Sequence, residues 1–150
     1  MDHHECDVKN DYAIVVNNHM CDYPNKNLSG VGIVYKFLCQ LDDLDMEFVA
    51  DSYLDLVALG NIADVMDLKE LETRYYCNMG LAHISNQLIA EYVGNSYYIS
   101  ANATAIDMQF SVIPYLNAII RAGKQEDKEL LFKALTEQNE MFRYNYIRTH

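Results

Sequence analysis

Three adjacent residues near the amino terminus, Asp2-His3-His4, set a carboxylate beside two imidazoles. Neutral imidazole and carboxylate suit divalent ions such as manganese or zinc, and imidazole can also move protons near neutral pH. The tripeptide has a bland reading too, because start methionines and tag remnants often sit beside histidines. His3, His4, Cys6, His19 and Cys21 can be drawn together as a zinc site, but their spacing fits no common zinc module. Two later stretches bear on the tripeptide. Ser29-Gly30-Val31-Gly32 has the look of a helix start, where free N–H groups suit an anion, although its glycines would equally serve close helix packing. Gly60-Asn61-Ile62-Ala63-Asp64-Val65 carries a carboxylate that could simply cap the next segment.

The elements that must position these groups read mostly as helices. Ala13 to Asn18 is a short β-branched run ended by polar residues, which predicts a buried strand. His19 to Asn27 is a loop rich in Asn, Asp and Pro. Ser29 reads as an N-cap, with Val31, Val34, Tyr35 and Leu38 on one face of a helix running to about Gln40. A second helix places Val49, Tyr53, Leu56 and Val57 on one face, and a third groups Leu71, Tyr75, Met79 and Ala82. Gly94 to Asn102 reads as a loop. Helix resumes at Asp107, breaks near Gly123, and continues from Glu126 towards His150. One strand cannot satisfy its own backbone groups, so this inventory is odd for a complete α/β domain.

The ordered series is what carries a resemblance. Asp2-His3-His4 is followed by Tyr23-Pro24-Asn25-Lys26-Asn27-Leu28-Ser29-Gly30-Val31-Gly32, then by Leu56-Val57-Ala58-Leu59-Gly60-Asn61-Ile62-Ala63-Asp64-Val65. Together these resemble the DHH phosphoesterase superfamily, specifically its RecJ-type single-strand-specific exonucleases. Ile113-Pro114-Tyr115-Leu116-Asn117-Ala118-Ile119-Ile120-Arg121-Ala122-Gly123 looks like a degraded form of a further family segment, with Ile120 where a glycine is expected before the arginine.

The resemblance implies α/β parentage, with this chain mostly α-helical around one convincing strand. Residues 1–135 would form a partial DHH domain without its aspartate-rich first half, and 136–150 would begin a long helix leading to a further domain. It implies Mn2+ or Mg2+ in a two-metal site, ions ~4 Å apart, for phosphodiester hydrolysis. His3 and Asp64 would be metal ligands, His4 would face the phosphate or assist proton transfer, and Asp2 would orient the histidines. Ser29, Gly30 and Gly32 would meet the phosphate, and Arg121 would clamp it or be an ordinary surface arginine. Asn117 would at least tie down a turn. His19, His83 and His150 carry no motif, and most of the twelve tyrosines fall at core spacings.

Composition bounds the function. The net charge of −11, with only eleven scattered Lys and Arg, argues against tight nucleic-acid binding by this chain itself. Four cysteines without a CxxC pair suggest free thiols in a reducing cytoplasm. No apolar run reaches membrane-spanning length, and no membrane partner is expected. The expected parent function is metal-dependent 5′-to-3′ hydrolysis of single-stranded DNA. The alternatives are an inactive structural or interaction module, self-associating through an exposed sheet edge, and a phosphodiesterase for short oligonucleotides or cyclic dinucleotides.

Overall fold

Ser29 ends an extended polar loop, and its side chain accepts the Gly32 N–H at 3.3 Å. That bond satisfies one of the orphan donors of a first helical turn, so helix α1 opens at once and runs Gly30–Asp45. In the computed structural model, which describes residues 1–6, 10–96, 99, 102–136, 143 and 145–147, α1 outruns its expected end by one further turn. The chain falls into two units, Met1–Gly80 and Leu81–His150.

The first unit is built on α1, a 3-10 turn at Ala50–Tyr53, and helices α2 (Leu54–Ala63) and α3 (Leu71–Ala82). Its core joins Leu28, Ile33, Tyr35, Ala50, Val57 and Tyr76. The expected single helix through Val49 and Tyr53 is instead a 3-10 turn that bends into α2, and Val49 and Tyr53 are exposed. Helix α3 is where it was expected but turns a different face inward. Leu71 and Tyr75 are exposed, whereas Thr73, Tyr76, Cys77 and Gly80 are buried. The reason is backbone proximity and polar bonding rather than apolar spacing. A Cβ on Gly80 would lie 2.1 Å from the Leu54 carbonyl oxygen, so α2 and α3 meet main chain to main chain there.

The α2 C-terminus is a Schellman motif. Met66 N–H reaches Asn61 O at 2.9 Å and Val65 N–H reaches Ile62 O at 3.1 Å. Such a motif needs a left-handed residue, ordinarily glycine, and here Val65 adopts φ 55°. A β-branched side chain in that region is strained, and the strain sits next to Asp64.

The strand expectation is corrected. Among the described residues no strand forms, and Ala13–Val16 is irregular and solvent-facing, with Ile14 96 % exposed. A β-branched run becomes a buried strand only where a neighbouring strand takes its N–H and C=O groups. No such neighbour occurs among the described residues, so they offer no sheet edge for self-association, and the α/β parentage is not visible in them.

In the second unit α4 (Gln87–Asn95) is capped by Asn86, whose side chain accepts the Ile89 N–H at 3.3 Å. The helix therefore includes Gly94, which was expected to open a loop. A Thr104–Asp107 capping box starts α5 (Ala105–Asp107), which passes through a π turn at Met108–Val112 into α6 (Ile113–Ala122). The break at Gly123 falls as expected before α7 (Gln125–Thr136). His150, and the expected helix at residues 137–142, 144 and 148–150, lie outside the described residues. No helix among those described is long and apolar enough to cross a membrane.

Two substitutions check this architecture by thermal or denaturant unfolding. Val65→Gly relieves the left-handed strain and should stabilise the chain by about 1 kcal/mol. Gly80→Ala forces α3 away from α2 and should cost about 3 kcal/mol. Equal stability of both variants and the parent would contradict the helix packing described.

Candidate metal centre

The amino-terminal tripeptide is folded back on itself by its own carboxylate. Asp2 Oδ1 accepts the His3 N–H at 2.8 Å and lies 2.7 Å from His4 Nδ1. A carboxylate can only accept, so Nδ1 of the His4 ring carries a proton, and in the neutral ring the Nε2 lone pair is left for another partner. These bonds, the His4 ring first and the His3 N–H second, hold the Asp2 carboxyl at about 2, below its ordinary 3.8. The two imidazoles lie against each other with centroids 4.2 Å apart. His4 is exposed, but His3 is largely covered.

What covers His3 comes from α1 and α2. A Cβ on Gly30 would contact His3 Nδ1 at 3.4 Å, so the first residue of α1 lies beside the ring. On the other edge, His3 Nε2 is 3.5 Å from Asp64 Oδ2, at the C-cap of α2. Asp64 is thus both a cap residue and a neighbour of the tripeptide. It ends α2 rather than capping the next segment, where Asp67 accepts the Lys69 N–H instead.

Asn61, three residues earlier, sets this approach. It is fully buried, and its Oδ1 accepts from Ser29 N–H at 3.0 Å and from Ser29 Oγ at 2.8 Å. The Ser29 hydroxyl therefore serves the helix junction and is sealed from solvent, which corrects its expected role as a phosphate-facing group. Gly32 is likewise buried, its N–H given to Ser29 and its Cα held against Asn61 and Leu28. Gly60 completes the crossing, since a Cβ there would lie 2.2 Å from Val31 Cγ1. Behind Asn61 the Cys77 thiol is pushed up to about 11 by burial, against a smaller downward pull from the Asn61 side chain.

The loop before Ser29 is fastened to α3 by Glu72. Its carboxylate accepts from Tyr23 at 2.6 Å, Tyr76 at 2.8 Å and Asn25 at 3.0 Å, and pairs with Lys36 at 3.2 Å. Burial alone would raise the Glu72 carboxyl, but these donors outweigh it and hold it down. Lys26 donates to the carbonyls of Asn18 and Cys21, closing the preceding turn. The Y-P-N-K-N stretch is thus scaffold for the helix start. Sequence reasoning missed Asn17, Asn61 and Glu72, because each acts through a bond to a residue distant in sequence or through backbone atoms.

The donor set suits a divalent cation. Among the described residues, Asp2, His3 and His4 are the one gathering of ligand-competent groups, their atoms within 4.8 Å of one another. Asp64 stands beside them, so two carboxylates flank one imidazole. Cys6, His19 and Cys21 do not join the cluster, and the wider zinc arrangement does not form. Arg121 is exposed in the last turn of α6, within the second unit, and Asn117 is part-buried in the same helix. In the metal-free chain the Asp2 carboxyl carbon signal should titrate near 2 and move up when His4→Ala removes its main partner. A midpoint unchanged by that variant would contradict the described bond. The stability this pairing adds is present above the unfolded value of 3.8 and is lost as pH falls through about 2.

No family model and no solved structure matches the chain. Two curated relatives do so over 146 residues, 96 % of this chain, at 38 % identity: an SPbeta prophage-derived single-strand DNA-specific exonuclease, YorK, of Bacillus subtilis strain 168, and its counterpart from Bacillus phage SPbeta. The single-stranded-DNA-specific exonuclease RecJ of Bacillus subtilis strain 168 is 34 % identical over 104 residues, 67 % of this chain and 13 % of its own length. The chain spans about a quarter of the length of the first two relatives. Over nearly all of its own length, then, it is similar to proteins named as single-strand DNA-specific exonucleases, and over two thirds of it to RecJ.

Proposed function

We propose that this chain carries part of the catalytic site of a RecJ-type exonuclease of the DHH phosphoesterase superfamily, a hydrolase that cleaves single-stranded DNA from its 5′ end. One observation carries the reading. The Asp2-His3-His4 cluster and Asp64, 61 positions apart between His3 and Asp64, meet at His3 Nε2 in the order that the resemblance requires. The names of the relatives support the substrate class.

In this reading His3 and Asp64 hold a divalent ion, Mn2+ or Mg2+, and Asp2 stands behind the histidines to fix their rings. Such an ion supplies positive charge for the non-bridging phosphate oxygens and lowers the pKa of a bound water. His4, exposed and with Nε2 free, faces the substrate and can take or return a proton. The first turn of α1 opens beside His3, and in this reading its free backbone N–H groups, with those of Gly30 and Val31 first, meet the phosphate.

A second reading, a chain without turnover of its own, has a specific observation in its favour. Only two ligands for the ion are assigned here, and the chain carries a net charge of −11. Two ligands leave a dinuclear site incomplete, so the isolated chain should bind manganese weakly and single-stranded DNA hardly at all.

Calorimetric titration with manganese tests both readings. Binding by the isolated chain should be weaker than about 1 μM and should weaken further in His3→Ala and Asp64→Ala. Affinity unaltered by both substitutions would contradict the site, and tight binding by the chain alone would contradict the second reading. In the longer protein that the first reading implies, Asp64→Ala should abolish phosphodiester hydrolysis.

A further inference from the structure

We infer that Asn17 is the positioning residue that holds the His3–His4 pair in place; the inference rests on the metal-site reading above. Terminal residues are poorly ordered unless something ties them down. Among the described residues the tripeptide's main chain is tied by two bonds, both from residues 16 and 17, beside the His3–Asp64 side-chain contact. Val16 O accepts the Asp2 N–H at 3.1 Å, and Asn17 Nδ2 donates to His4 O at 2.8 Å. The two bonds bracket His3, one at each side of it.

Asn17 can do this because it is anchored itself. It is 4 % exposed, and its Oδ1 accepts the His19 N–H at 2.8 Å. Its own carbonyl accepts the Met20 N–H at 3.3 Å and the Cys21 thiol at 3.4 Å. One carboxamide therefore uses its acceptor to close the 17–20 turn and its donor to reach the tripeptide. The turn alone would be served equally by aspartate, whose oxygen closes the same kind of turn. The donor half has one visible purpose, the His4 carbonyl. Ala13–Val16, exposed and without sheet partners among the described residues, offers the tripeptide no strand to pair with.

The experiment uses the isotopically labelled chain and two variants. In the parent, nuclear magnetic resonance should detect a scalar coupling across the Asn17 Nδ2–His4 carbonyl hydrogen bond, and cross-peaks between the His3 and His4 rings. Asn17→Asp keeps the turn acceptor but loses the donor. It should unfold at close to the parental temperature, lose the ring cross-peaks, and bind manganese roughly tenfold more weakly, as removal of a group behind a ligand does. Asn17→Ala removes both halves and should show the same losses together with a lower unfolding temperature. Absence of the coupling in the parent would overturn the inference, and so would ring cross-peaks retained in a folded Asn17→Asp. The coupling needs no variant, so a variant that does not fold leaves the test intact. A parent chain that binds no manganese while showing the coupling and the cross-peak loss would sink the metal reading and leave the positioning role standing.

Discussion

Asn61 is buried completely at the point where α2 passes the start of α1, where a carboxamide is costly unless bonded; its oxygen is bonded, and its Nδ2 has no hydrogen-bond partner among the described residues. Its oxygen takes both the N–H and the hydroxyl of Ser29, 32 residues earlier in the chain. That one junction fixes two distances at once. It sets where α1 begins, and so where Gly30 meets the His3 ring. It also sets where α2 ends, since Asn61 O receives Met66 N–H in the turn that presents Asp64. The glycine at 60 is a consequence, because a Cβ there would lie 2.2 Å from Val31 Cγ1, whereas one at 32 would make only a tight contact with Asn61 and Leu28.

The geometry that results is electrostatically demanding. Two carboxylates stand within 4 Å of the two nitrogens of one imidazole, in a chain already strongly acidic. Asp2 is answered by hydrogen bonds from the residues beside it. The Asp64 carboxylate has no comparable set among the described residues and faces His3 Nε2 at 3.5 Å. A cation at that corner would balance both carboxylates, and it would explain why a strained valine turn is kept beside Asp64.

Much of this was legible from residue order alone. Ser29 as a cap, the start of α1, the break at Gly123 and the meeting of Asp64 with the tripeptide all follow from local chemistry or from motif order. The buried strand at Ala13–Asn18 was not, because a β-branched run specifies burial only when a sheet receives it, and pairing is not a local property. The inner face of α3 was misread because Thr73 is buried by hydrogen bonds and Gly80 by a backbone approach, neither of which leaves an apolar spacing. Ser29 was assigned outward and faces inward for the same reason: its partner, Asn61, is invisible without the fold.

The assignment as a whole turns on whether a divalent ion sits between His3 and Asp64. Crystals of the chain soaked in manganese, with anomalous diffraction collected at the manganese absorption edge, address this directly. The account predicts a single strong anomalous peak within coordination distance of His3 Nε2 and the Asp64 carboxylate, with Asp2 still bonded to the His4 ring. A peak elsewhere on the surface, or none at that corner, would contradict it.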